Sequence, residues 1–452
     1  MEPVTLLIAA TGLVLFFLIK PIHALSLFIG VICLYPQFLT VPIGSVDFTT
    51  GRFLILPLLL RVVLNYEKLK SFRWCFLDSL VLIFAVAKIV AIAHNVSPSS
   101  FIEREGGEFF ETALPYFVAR MVITSKEEFL VFIKTLVLIA IPLSVLGFYQ
   151  ALTGHNPVQF MVKHYAWGLD QFMAGTAPLR RGLYRASVTF GIHISFGLFF
   201  AGTASLLLGL LNQRIMESRL IFISFAFMMM GMISTVSSGP IFSLVTSMGI
   251  ILFFPARRYF PLLVMFVISS ILFVEFYSNR HWYEVLTRFA FSPDNAYYRI
   301  GLIQEAFGGG MNGHWINGFG YVGVGAGNNN TYFNWVHKDL VNIFMAMLVR
   351  YGLVGVTPYL VITFQTYKNI YRSFTSAFDK NDSWLVWCTG ATLIGWNTAM
   401  MTVSAMGQIN TLLFMLFGIC SNLPGIIRKR NPVYVYTTEN PQMPDQIVAE
   451  VG

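Results

Sequence analysis

The sequence predicts an all-α, polytopic integral membrane protein with about 12–13 transmembrane helices and two long loops on the translocated side. Of 452 residues, 56% are hydrophobic and only 12% charged, with a mean hydropathy of +0.67; soluble domains carry about 25% charged residues. Apolar runs long enough to cross a hydrocarbon core of ~30 Å as helices recur from end to end. The basic residues flanking these runs fall in alternate connections, as the positive-inside rule requires.

In order, the runs lie at 4–19, 23–43, 48–65, 76–94, 109–124, 128–152, 186–211, 219–236, 238–254, 259–277, 338–365, 384–402 and 404–424. MEPVTLLIAATGLVLFFLIKPIH lacks the basic n-region and small-residue cleavage site of a signal peptide, so the first run is expected to stay as a helix. The 109–124 run is short and contains Glu111, Pro115 and Arg120, the weakest profile of the set. Lys88 and Arg350 lie inside runs. A charge there costs about 2.5–3.5 kcal/mol on insertion scales, so each is expected to face a partner or a water-filled cavity.

Orientation follows from Arg61, Lys68, Lys70 and Arg73, then Lys126, Arg214 and Arg219, Arg257 and Arg258, Lys368, Arg372 and Lys380, and finally Arg428, Lys429 and Arg430. Alternating helices put all of these on one side, which is therefore cytoplasmic. The long connections at 153–185 and 278–337 fall on the other side. Residues 1–425 thus form one transmembrane domain, and 426–452 a polar, proline-bearing cytoplasmic tail expected to be disordered.

Composition and motifs exclude several chemistries. The net charge of +8 comes from 30 basic and 22 acidic residues, and in a membrane protein much of it sets topology, so no nucleic-acid partner is implied. Cys33, Cys75, Cys388 and Cys420 are scattered without CxxC spacing, so neither zinc nor a disulfide framework is expected. No GxxxxGK[ST], HExxH or DxD-like pair occurs, and no metal or other cofactor is expected. The loop acids Glu284, Asp294 and Glu305 are too scattered for a glycosidase pair.

The external loops are basic and aromatic instead. LRRGLYRASVTFGIH places Arg180, Arg181 and Arg185 on the translocated side, where Lys and Arg are normally depleted. Arg180 and Arg181 have a plainer role open to them, contact with lipid phosphates. Arg185 is expected to enter a helix containing Ser187, Thr189 and His193, where guanidinium and helix N-terminal N–H groups would hold a phosphate or pyrophosphate. His193 can equally be a packing residue. In NAYYRIGLIQEAFGGG, Arg299 follows Tyr298 on an amphipathic stretch suited to the membrane interface, where an arginine can simply snorkel. NWVHKDLVNIFMAMLVRYGLVG gathers His337, Lys338, Asp339 and Asn342 at a helix end. An imidazole beside a carboxylate suits a general base, although interfacial histidines are commonly structural.

These pieces, in this order, resemble the O-antigen ligase and polymerase superfamily of bacterial envelope polysaccharide synthesis, the WaaL and Wzy proteins. The resemblance covers most of 110–425: PYFVARMVITSKEEF, LGFYQALTGHNP, the arginine in RRGLYRASVTFGIH, STVSSGP, YRIGLIQEAF, the GFGYVGVG glycines, and HKDLVN ahead of YGLVG. It implies a GT-C-like, metal-independent glycosyltransferase of the inner membrane whose active site faces the periplasm. Its partners would be an undecaprenyl-pyrophosphate-linked oligosaccharide donor, an acceptor glycan and membrane lipids, with a flippase and a chain-length regulator as further candidates. Arg185 and Arg299 match the family's pyrophosphate-holding arginines, and His337 is the nearest match to its base. In many members that histidine stands about one helical turn closer to the glycines, where Val341 and Asn342 stand here, so Asp339 competes for the role. A polymerase is the leading expectation because the ligase-like histidine spacing is imperfect; a ligase acting on lipid A core or protein, or a transporter of lipid-linked sugars, are the alternatives.

Overall fold

In the computed structural model, residues 2–36, 38–43, 46–93, 105–158, 179–211, 213, 215–279, 281–285, 293–320, 340, 342–403 and 407–428 are described. The chain there is almost wholly helical. It begins with α1 (Glu2–Leu18) and α2 (Pro21–Leu34), then a hairpin of β1 (Val41–Ile43) and β2 (Val46–Phe48), then α3 (Thr50–Val63), α4 (Tyr66–Ser71) and α5 (Phe76–Ile92). Next come α6 (Gly107–Glu111), α7 (Ala113–Val122), α8 (Lys126–Thr153), α9 (His193–Leu208), α10 (Ser218–Ser234) and α11 (Ser238–Leu252). A 3₁₀ segment (Phe254–Tyr259) leads into α12 (Phe260–Tyr277), followed by α13 (Trp282–Val285), α14 (Pro293–Glu305), α15 (Ile343–Thr375), α16 (Lys380–Met400) and α17 (Gln408–Arg428).

Local chemistry sets the helix ends. The Thr49 hydroxyl caps α3 by accepting from Arg52 N, and Ser125 with Glu128 forms a reciprocal capping box at the start of α8. Gly154 closes α8 in the left-handed conformation, φ 75°, which only glycine adopts freely.

Lys126–Thr153, Phe254–Tyr277, Ile343–Thr375 and Gln408–Ile427 are long and apolar enough to cross a membrane, and five further apolar helices are shorter. Among the described residues the thirteen apolar runs therefore convert into fewer full-length spans, because run ends are spent on caps and turns. The 23–43 run stops being helical at Leu34 and finishes in the hairpin. The 109–124 run is broken at Thr112, whose φ/ψ of −120°/−70° separates α6 from α7. Nearly every side chain of α7 is buried within the bundle.

The core is aromatic and closely packed. Phe84, Tyr359, Phe414 and Phe417 form one ring cluster, and Phe190, Phe196, Phe199 and Phe200 another. Small residues admit the neighbours: a Cβ at Gly202 would sit 2.3 Å from the Trp396 indole, and one at Gly418 would sit 2.4 Å from Tyr116 O. This is the packing that membrane helices use when apolar burial no longer drives association.

Among the described residues the flanking basic side chains gather at one end, as their alternation predicts. There Lys68 Nζ donates to Val122 O at 2.8 Å and pairs with Glu128, Arg120 Nη2 donates to Arg73 O at 2.7 Å, and Lys126 pairs with Asp382. Arg120 also faces the buried Asp78 at 3.4 Å, and Tyr116 donates to that carboxylate at 2.7 Å. The starts of α3, α9 and α17 and the end of α5 lie at the opposite end. The tail beyond 428 lies outside the described residues.

Candidate functional site

At this opposite end, residues 179–192 enter the bundle as an irregular segment, and α9 starts only at His193. This corrects the expectation that Arg185 opens a helix containing Ser187 and Thr189. Their backbone is claimed by side chains from elsewhere. Gln150 Oε1 accepts from Ser187 N at 3.1 Å and Val188 N at 2.9 Å, and Asn156 Nδ2 donates to Val188 O at 3.1 Å. Gln408 Nε2 donates to Thr189 O at 3.2 Å, and the Thr189 hydroxyl to Cys33 O at 2.5 Å. Val188 is held at φ 48°, strain that a β-branched residue tolerates only in an over-determined setting. Four distant residues, on α2, on α8 and its following turn, and on α17, thus hold the segment beside Arg185.

The side chain of Arg185 is half-buried, and its Nε has no hydrogen-bond partner. No carboxylate pairs with it among the described residues. Burial, and then the neighbouring charge of Arg180, push its guanidinium down to about 10, still protonated at neutral pH. His193 lies within the electrostatic reach of both arginines, and its Nε2 is also buried without a hydrogen-bond partner. Arg180 is steadied by an antiparallel bridge to Leu183, whereas Arg181 is exposed at φ 53°. A guanidinium with no paired carboxylate, held beside a second guanidinium and an imidazole, forms a site that gains most from an anion.

Arg299 and Tyr298 lie on α14, both half-buried. Leu302, Ala306 and Met311 pack against Leu340, Met345, Leu348 and Val349, with Tyr298 at the margin of the cluster, so α14 is tied to the first turns of α15. The described contacts tie the helix of Arg299 to α15. Asn342, expected to support the chemistry, holds a helix end. Its side-chain oxygen caps α15 by accepting from Phe344 N at 2.9 Å and Met345 N at 3.2 Å. His337, Lys338 and Asp339 lie outside the described residues.

The glycine motifs around this helix meet in space. α15 breaks at Gly352, φ 61° and ψ −160°, and the freed backbone groups are taken by residues 315–320. Phe319 N donates to Val349 O at 2.7 Å and Gly320 N to Arg350 O at 2.9 Å; in return Leu353 N donates to Trp315 O at 2.8 Å and Val354 N to Ile316 O at 3.1 Å. A Cβ on Gly352 would lie 2.2 Å from Ile316 O, and one on Gly318 would lie 2.6 Å from Arg350 O.

Beside this crossing lies a charged network that the sequence only half announced. Lys88 Nζ is 3.2 Å from Glu105 Oε2 and also pairs with Glu108, while Tyr351 donates to Glu105 Oε1 at 2.9 Å. The ammonium lies 4.9 Å from the Tyr351 ring centroid, in cation–π range. One helical turn on, Glu111 pairs with Arg52 Nη2 at 2.9 Å. A cavity of about 220 Å³ opens here, lined by Lys88, Glu105 and Thr112 with Phe84 and Phe109. Lys88 thus has both the partner and the cavity expected of it. Sequence reasoning singled out Glu111 but missed Glu105 and Glu108, although i, i+3 spacing along a helix puts each of the three within reach of the next.

Among the described residues no group of His, Cys, Asp and Glu could hold a metal ion. No protein-family model matches the chain, and no curated protein matches its sequence.

Proposed function

We propose that the protein is a glycosyltransferase using a polyprenyl-pyrophosphate-linked sugar donor. More finely, it is a polymerase that joins undecaprenyl-pyrophosphate-linked repeat units into exopolysaccharide or O-antigen at the periplasmic face of the inner membrane. The observation that carries the reading is the Arg185 cluster: a half-buried guanidinium with no carboxylate partner among the described residues, next to Arg180 and His193, on a segment pinned by Gln150, Asn156 and Gln408. The positive-inside rule, applied to the basic end, supports a periplasmic location for it.

In the reaction the acceptor hydroxyl attacks the anomeric carbon, the bond from that carbon to the pyrophosphate oxygen breaks, and the pyrophosphate leaves with the bonding pair. Charge on the leaving group grows toward the transition state, so preorganised guanidinium groups act most strongly there; one well-placed donor is worth roughly 10²–10³ in rate. Arg185 with Arg180 would hold that group, Arg299 would approach it from α14, and His337, with Asp339 beside it, would take the hydroxyl proton.

The test is a gel and lipid-extract profile of surface glycan from cells lacking the gene. A polymerase predicts loss of polymer while single repeat units still reach their acceptor or accumulate on the carrier. Full-length polymer stranded on the carrier would instead mark a ligase, and an unaltered glycan would exclude both.

A further inference from the structure

The geometry points to a binding site for an anionic phospholipid at the basic end, in the gap between α12 and the bundle. Three independent features meet there. First, α12 is apolar apart from Ser269, Ser270 and, near its far end, Glu275, yet buries none of its residues against the protein, so a gap beside it is filled by lipid. Second, a groove of about 730 Å³ opens at its foot, lined by Pro255, Arg257, Arg258, Phe260, Phe374 and Trp387 among others, with no acidic residue in its wall.

Third, the groove is graded from charged to apolar. Arg257 is half-buried, its guanidinium 4.5 Å from the Phe254 ring with Nη1 donating to Phe254 O at 3.3 Å; Arg258 is exposed, 4.5 Å from the Tyr259 ring. Neither guanidinium pairs with a carboxylate among the described residues, whereas Lys68, Lys126 and Arg120 at the same end all do. Trp387 is anchored deeper, its Nε1 donating to Ile250 O at 2.7 Å with the ring edge-on to Phe254 and Phe260. Paired guanidiniums above an aromatic slot match a phosphodiester headgroup above its glycerol and acyl chains. The site is at the end opposite Arg185 and does not depend on the glycosyltransferase reading.

The test titrates the full-length protein in detergent with phosphatidylglycerol or phosphatidylcholine and follows the thermal unfolding midpoint. The wild type is expected to bind phosphatidylglycerol more tightly, each arginine contributing about fivefold. Arg258→Gln should lose about that factor, and Arg257→Gln/Arg258→Gln should leave the two lipids equal, with phosphatidylcholine binding unchanged. Lys70→Gln, an equal charge loss on an exposed residue of α4 outside the groove, should keep the preference. The proposal is overturned by equal affinities in the wild type, by a preference that Arg258→Gln leaves undiminished, or by a loss in Lys70→Gln as large as in Arg258→Gln. The single exposed substitution keeps the test decisive if loss of Arg257 unsettles the turn.

Discussion

Replacing Gly352 by alanine should undock residues 315–320 from α15 while leaving the bundle assembled. The substitution has two costs. A Cβ at φ 61°, ψ −160° occupies a region essentially reserved for glycine, about 1–3 kcal/mol. That Cβ would also lie 2.2 Å from Ile316 O and 2.4 Å from Ile316 C, both backbone atoms, so the chain must separate. Separation removes the four backbone hydrogen bonds of the crossing, each contributing about 0.5–1.5 kcal/mol net. Separation relieves the first cost, so the protection lost is set by the bonds, roughly 2–6 kcal/mol of local stability or about one and a half to four orders of magnitude in an opening equilibrium. Hydrogen exchange read by mass spectrometry on the Phe319, Gly320, Leu353 and Val354 amides reports it directly. Exchange should accelerate by about that factor in Gly352→Ala and stay as in wild type in Gly301→Ala, where an added Cβ meets no atom within 4 Å. Wild-type protection in Gly352→Ala would refute the argument that the glycine pair permits the crossing. Because the crossing orients the first turns of α15, the proposed activity predicts that polymer formation falls with the protection.

Lys88→Met leaves Glu105, whose side chain is 3% exposed, without its cation, and should destabilise by about 3–5 kcal/mol. The double variant Lys88→Met/Glu105→Leu should recover most of that, measured as the denaturation midpoint in detergent; a double variant worse than the single one would contradict the account. Arg185, held down to about 10 by burial and Arg180, is charged at neutral pH. Its folded pKa lies below the unfolded value, so its burial costs stability below about 10 and the cost fades as pH rises past it. Bound inorganic pyrophosphate offsets that cost, so its stabilisation should be full at pH 7 and decline above about 10; persistence of the effect in Arg185→Ala would locate the anion elsewhere.

Much of the architecture is local and was therefore readable. Hydrophobic runs are properties of consecutive residues, and Lys68, Lys126 and Arg257 recur at one end because topology is set by charges next to each span. Arg185 stood out because it broke that pattern. The helix starts were less legible, since the competitors for backbone hydrogen bonds come from distant positions: Gln150 and Gln408 keep 186–189 out of the helix that its hydropathy suggests.

By itself, then, the sequence determined a helical, membrane-suited chain with its basic flanks at one end, because burial of apolar runs and backbone self-satisfaction leave little choice. Only the tertiary structure decided where charge meets charge. It paired Lys88 with carboxylates some twenty residues away, at and before a short helix, and crossed two glycine motifs through each other's backbone. It also left Arg185 without a carboxylate among the described residues. Such pairings depend on which helix ends meet, a relation between distant segments that no local pattern carries.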